Sequence, residues 1–166
     1  MPVSHHLLLT AGVLALFAAP VAGQRPDNQL SPQSVAFLAQ GQQLLSAGKF
    51  DEASDTLEAA LAADPRNRAA FVSLARVAQK EKLFGKSIRL TNKALALEPN
   101  DLDALEVQGE SMVELGAKTR AQANLTKLQK LCGNGCKQVT TLSSAINRGP
   151  TIAAATPPKI PTAKSN

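Results

Sequence analysis

The feature that most constrains this chain is a period. Shifted by 34 residues against itself, the sequence lays Asp64-Pro65-Arg66-Asn67 on Glu98-Pro99-Asn100-Asp101. With the same shift Phe37 falls on Phe71 and then Leu105. Gly41 falls on Ala75 and Gly109, Leu44 on Ala78 and Met112, and Leu57 on Thr91 and Leu125. A fixed period of this length signals stacked supersecondary units, each burying its apolar face against its neighbours.

Local signals say what each unit is. Ser31-Pro32 supplies an N-cap followed by a proline at the first helical position. Gly48-Lys49-Phe50-Asp51 reads as a turn, with Asp51 available to cap the next helix. Asp64-Pro65 ends that helix and Asn67 opens another, and Glu98-Pro99 with Asp101 repeats the device. Helices are expected near 32–47, 51–63, 68–81, 86–97, 102–115 and 118–131. A seventh, near 137–147, carries Val139, Leu142 and Ile146 at helical spacing and is expected to cap the open end of the array. Small residues at Gly41, Ala75 and Gly109 would let the two helices of each hairpin approach closely. Phe37 and Phe71 would fill the space between hairpins. Aromatics make up only 3% of the chain against 44% hydrophobic residues, so the core must come from Ala, Leu and Val. Ala and Leu favour helix. The fold class expected is all-α, a solenoid of about three helix-turn-helix repeats plus a C-terminal capping helix, over residues 32–148.

Residues 34–135 resemble the tetratricopeptide repeat family. The resemblance rests on the period, on the small residue four after a bulky one, on Ala53…Leu57 and Ala121…Leu125, and on the closing Pro65 and Pro99. The second repeat departs at Ser87 and Thr91, and the third has Cys132-Gly133 where a closing proline is usual. The resemblance implies a non-enzymatic scaffold that holds a peptide or protein segment in a groove lined by the first helix of each hairpin. Carried over by position, the groove takes Val35, Leu38, Gln42 and Leu45, then Ala69, Val72, Ser73, Arg76 and Lys80. The third repeat adds Asp103, Glu106, Val107, Glu110 and Glu114. The positions that clamp a terminal carboxylate in one branch of the family are here Leu38, Gln42, Ser73, Asp103 and Val107. They lack the basic residues that such a clamp needs. The expected partner is therefore a protein or peptide with a basic segment against the third repeat. The competing expectation is that Arg76 and Lys80 simply pair with that acidic helix.

Residues 1–23 read as a secretory signal peptide. An apolar run from Leu7 to Ala19 precedes small residues at Ala19, Val21, Ala22 and Gly23. The run is short for a membrane span. An uncleaved anchor is the alternative, and no stable anchor is expected once the signal is removed. Residues 24–31 read as a flexible lead, and 149–166, rich in Pro, Ala and Thr, as a disordered tail. An exported chain, periplasmic or secreted, meets an oxidising compartment. Cys132-Gly133-Asn134-Gly135-Cys136 is then expected to close a structural disulfide. The alternative is a redox-active accessory using the same pair, although the spacing is not Cys-x-x-Cys. A structural subunit of an envelope assembly is a third reading.

Charge narrows the partners. The formal net charge is +5. The charges are banded: residues 24–64 are mainly acidic, 65–97 basic but for Glu81, 98–114 wholly acidic and 115–166 wholly basic. Banding of this kind argues against one broad basic surface for nucleic acid. His5 and His6 are the only histidines and lie in the presumed signal, so no metal site and no cofactor are expected. No motif for a nucleophile, a phosphate loop or a zinc-protease helix is present, and no enzymatic activity is expected. Asn124-Leu125-Thr126 matches a glycosylation acceptor but falls within an expected helix.

Overall fold

A computed structural model describes residues 29–151. The signal segment, most of the lead and all but the start of the tail lie outside these residues. Seven helices follow one another: α1 (Pro32–Ser46), α2 (Phe50–Ala63), α3 (Arg68–Lys80), α4 (Phe84–Leu97), α5 (Leu102–Glu114), α6 (Lys118–Cys132) and α7 (Lys137–Arg148). There is no strand among the described residues. The all-α solenoid follows from how these helices pair. Helices α1 and α2, α3 and α4, and α5 and α6 form hairpins. Helices α1, α3, α5 and α7 also touch in succession, whereas α2, α4 and α6 make no direct backbone contact with one another. The odd helices therefore form the inner, concave layer and the even ones the outer layer.

The caps explain the boundaries. Asn67 accepts from the Ala70 backbone N–H at 3.2 Å, and Asp101 accepts from that of Ala104 at 2.6 Å. These side chains satisfy donors that the first turn leaves orphaned. Two expected caps are corrected. Ser31 stands at the N-cap of α1 but makes no side-chain cap; its backbone N–H donates to Asp64 Oδ2 at 2.9 Å instead. Asp51 caps nothing, because α2 already starts at Phe50 and Asp51 lies in its first turn. There the negative charge still favours the positive end of the helix dipole. Likewise α4 starts at Phe84, two residues earlier than expected.

The turn within each hairpin repeats. Gly48, Lys82 and Gly116, spaced by 34, all adopt positive φ, at 76°, 61° and 74°. Each turn closes with the same pair of bonds, for example Lys82 N–H to Gln79 O and Leu83 N–H to Ala78 O. Lys82 thus occupies a left-handed conformation that its neighbours fill with glycine.

The core runs between the layers. Leu57, Ala53, Leu74 and Val77 pack the first interface. Val72, Ala75, Ala94, Ala104 and Val107 pack the second, with Phe71 against them. Leu105, Met112, Leu125, Leu128, Val139 and Leu142 pack the third. Gly41 works as expected: a Cβ there would stand 2.6 Å from Leu57 Cγ of α2. Gly109 does not. Its open side faces Leu142 of α7, 2.6 Å from where a Cβ would be, rather than its hairpin partner α6. Cys132 and Cys136 are joined in a disulfide with Cα atoms 5.9 Å apart, both half-buried beside this third cluster.

Candidate functional site

The concave layer holds a cleft of about 520 Å³ spanning all four inner helices. Leu45 and Ser46 of α1 line it, with Arg76, Gln79 and Lys80 of α3, Glu106 and Glu110 of α5, and Lys137 and Thr141 of α7. A second hollow of about 360 Å³ shares Gln79, Lys80 and Glu110, and continues past Glu114 to Arg148 and Thr151. Gln42, Ser73 and Asp103 border a smaller recess on the side of the groove towards the helix starts.

The groove residues expected from the sequence fall into two groups. Arg76 binds the acidic helix: its Nη2 lies 3.4 Å from Asp103 Oδ1 and 3.7 Å from Glu106 Oε2. Gln42 donates to Ser73 Oγ at 3.3 Å. Lys80 stands exposed at the cleft with Glu110. Glu114 is engaged at the far end, accepting from Thr151 N–H at 2.7 Å and Oγ1 at 2.8 Å, with Arg148 at 3.8 Å. Val107 is not a groove residue; it and most of Val72 are buried in the core between α3, α4 and α5, although Val72 also lines the recess beside Ser73. Their backbone positions border the groove, but their side chains point into the layer beneath, where apolar surface is hidden from water.

Several groove residues had no place in the sequence reading. Gln79 is a staple in the floor. Its Nε2 donates to Val107 O at 3.0 Å and Ser111 Oγ at 3.1 Å, tying α3 to α5. Gln138, Lys137 and Thr141 come from α7, and Gln138 Nε2 donates to Asp103 Oδ1 at 3.1 Å. The signal for them was the period itself. Extended once more, it lays Val139 on Leu105, Ser143 on Gly109 and Ile146 on Met112. Helix α7 is thus the first helix of a fourth unit, and it supplies the fourth wall of the groove rather than only a cap.

This changes the electrostatics. Helix α5 carries four acidic and no basic residues, but it lies between α3 and α7, which carry only basic ones. The acidic surface is therefore flanked on both sides by cations. Glu106 is buried, 4% exposed, and burial pushes its carboxyl above the usual range. Arg76 and, less strongly, Lys137 pull it back down, while Glu110 and Asp103 push it up. Asp64, by contrast, lies well below the ordinary carboxylate range, held there by the Arg66 side chain and the Ser31 and Arg66 backbone N–H groups.

A raised carboxyl favours the folded state when protonated. Its contribution is fully present below the unfolded value and is lost as pH rises through the folded one. Glu106→Gln is therefore expected to melt higher than the wild type at neutral pH. The gap should close as pH falls through the titration of Glu106. Melting curves across that range check this, and a gap that widens on acidification would show that the Arg76 pair outweighs burial.

Residues 44–110 match the model of the tetratricopeptide repeat family. No curated protein sequence matches the chain. Among solved structures, the first tetratricopeptide domain of Spaghetti (RPAP3), bound to the HSP90 peptide SRMEEVD, is similar at 22% identity and a TM-score of 0.64. The match covers 70% of this chain and 92% of that one. The Sgt2 tetratricopeptide domain from Aspergillus fumigatus matches at 18% identity and a TM-score of 0.66, covering 72% and 80%. The Yersinia enterocolitica type III secretion translocator chaperone SycD matches at 16% identity and a TM-score of 0.65, covering 71% and 92%. At these identities the likeness is one of fold.

Proposed function

This chain belongs to the tetratricopeptide repeat family through residues 44–110, and on that premise we propose that it is a non-enzymatic scaffold holding a protein segment in its concave groove. The observation that carries this reading is the cleft that runs unbroken across α1, α3, α5 and α7. Similar domains have been solved with peptides bound, among them the HSP90 peptide on Spaghetti. The partner differs from a simple basic segment. Glu106 and Glu114 already hold cationic partners, while Glu110 accepts from Gln79 Nε2 at 3.4 Å and shares the cleft with Lys80 and Lys137. A segment of mixed charge, with an acidic group for Lys80 or Lys137 and a basic one for Glu110, satisfies the groove. A terminal carboxylate clamp is not part of this reading, since Leu38, Ser73 and Asp103 supply no cation.

The chain acts, in this reading, in the periplasm or secretory space. The apolar run at 7–19 supports export, and a bridge between Cys132 and Cys136 suits an oxidising compartment.

A random peptide display library panned on the chain provides the test. Retained peptides should share paired acidic and basic positions and compete with one another. Lys80→Glu and Glu110→Lys should each weaken them about tenfold, roughly 1.4 kcal/mol, more at low salt than at high. Retention indifferent to both reversals would remove the groove from the account.

A further inference from the structure

The outer layer carries a second surface, independent of the groove. Every charged residue on α4 and α6 is basic. Lys86, Arg89 and Lys93 follow one stripe of α4, away from buried Ser87, Thr91 and Ala94. Arg120, Lys127 and Lys130 follow the matching stripe of α6, away from buried Ala121, Leu125 and Leu128. Lys86 and Arg120 are equivalent under the 34-residue period, as are Lys93 and Lys127. Helices α4 and α6 are both second helices of their hairpins, so these stripes face the same way.

The banding of charge along the chain hides this surface. The acidic band at 98–114 falls mostly on α5, which belongs to the inner layer and leaves the outer one uninterrupted. From beneath, Gln108 of α5 bridges α4 and α6. Its Nε2 donates to Asn92 Oδ1 at 2.7 Å, and its Oε1 accepts from Asn124 Nδ2 at 3.0 Å. The two stripes are thereby held in register. None of their six cations has an ion-pair partner among the described residues. Lys127 donates only to the Pro99 carbonyl, at 2.6 Å.

One more pair shares the stripe. Leu97 and Leu131, again spaced by 34, lie in the last turns of α4 and α6 with 45% and 40% of their surface exposed. The first repeat has none of this: Glu52, Ala59 and Ala63 occupy the corresponding places, and α2 exposes Asp51, Glu52, Asp55 and Glu58. Cations beside outward leucines suit a boundary that is anionic on its surface and apolar just below. Lysine stems can lie along apolar material while their heads stay at the charged layer. A purely polar polyanion would gain nothing from the leucines.

We propose that the outer face of α4 and α6 docks on an anionic phospholipid surface, with the basic stripes on the headgroups and Leu97 and Leu131 entering the acyl boundary. The groove, on the opposite layer, stays open to the partner described above. No described helix is long and apolar enough to cross a membrane, so the contact is peripheral.

Vesicle co-sedimentation of the full chain tests this, read as the difference between phosphatidylcholine alone and an equal mixture with phosphatidylglycerol. That difference cancels any contribution of the apolar segment at 7–19. The chain should prefer anionic vesicles. Lys93→Glu with Lys127→Glu should cut the preference about tenfold or more. Leu97→Ser with Leu131→Ser should cut it several-fold, and most at high salt, where charge is screened. Circular dichroism would confirm that both double variants remain folded. Equal sedimentation on the two lipids overturns the proposal. So does loss of binding in the lysine variant with none in the leucine variant, which would mark a site for any polyanion. Salt-sensitive self-association abolished by Glu52→Lys, with no lipid preference, would assign the face to α2 of a second copy instead.

Discussion

Leu57→Ala is expected to lower the free energy of unfolding by about 2–5 kcal/mol, the range for emptying a fully buried leucine site. Leu57 has no exposed surface and fills the space opposite Gly41, where α1 and α2 come closest. The pair makes a sharper test than either residue alone. Gly41→Ala adds a methyl that collides with Leu57 Cγ and Cδ2, at 2.6 and 2.7 Å. Overpacking of this kind costs about 1–3 kcal/mol, which outweighs the gain of about 1 kcal/mol from replacing a mid-helix glycine. With Leu57→Ala already present, that methyl enters the vacated volume and Gly41→Ala should become neutral or stabilising. Urea titration of the four proteins measures the coupling. Additive effects would mean that the helices relax apart and that the glycine is not there for close approach.

The close helix approach at Gly41 was legible in the sequence, and the reason is local. A mid-helix glycine at the same place as Ala75 and Gly109 in the period needs a packing explanation, and the hairpin partner is the nearest neighbour available. The same logic misassigned Gly109. Periodicity tells which positions are equivalent but not which neighbour each one packs on, and Leu142 belongs to a fourth unit of which one helix lies among the described residues. The caps at Asn67 and Asp101 were legible because their bonds reach only three residues ahead. Asp51 was misread because a side-chain cap was expected at that start, whereas α2, like α4 and α6, begins with no side-chain cap at all. They follow turns already closed by two backbone bonds.

Charge shows the same division. Which residues are acidic or basic is written in the chain, but the layer each helix joins is not. Taken along the sequence, basic and acidic bands alternate and seem to cancel. Folding sorts them by the parity of the helices. The inner layer interleaves the basic α3 and α7 with the acidic α5, so that Arg76 reaches Asp103 and Glu106, and Gln138 reaches Asp103. The outer layer sets basic α4 beside basic α6. One face becomes a mixed-charge groove, and the other is acidic at α2 and cationic across α4 and α6.

The second large effect is expected at the other end of the array. Leu142→Ala should cost about 2–5 kcal/mol, because Leu142 is fully buried and packs directly on the Gly109 backbone. Helix α7 is also held by the Cys132–Cys136 bridge, whose removal by Cys132→Ser with Cys136→Ser should cost about 2 kcal/mol on the loop-entropy account. The two restraints act on different states. The bridge shortens the unfolded chain between α6 and α7, whereas Leu142 fixes where α7 rests on α5. Only the leucine therefore sets the geometry of the groove wall that carries Lys137 and Thr141. Leu142→Ala should raise hydrogen exchange along α7 and weaken groove-bound peptides. The serine pair should lower the unfolding midpoint while leaving peptide affinity within about twofold, since a bridge acting on the unfolded state leaves native contacts in place. Equal losses of affinity from both would mean that the bridge positions α7 in the folded protein, and that the two restraints form one device.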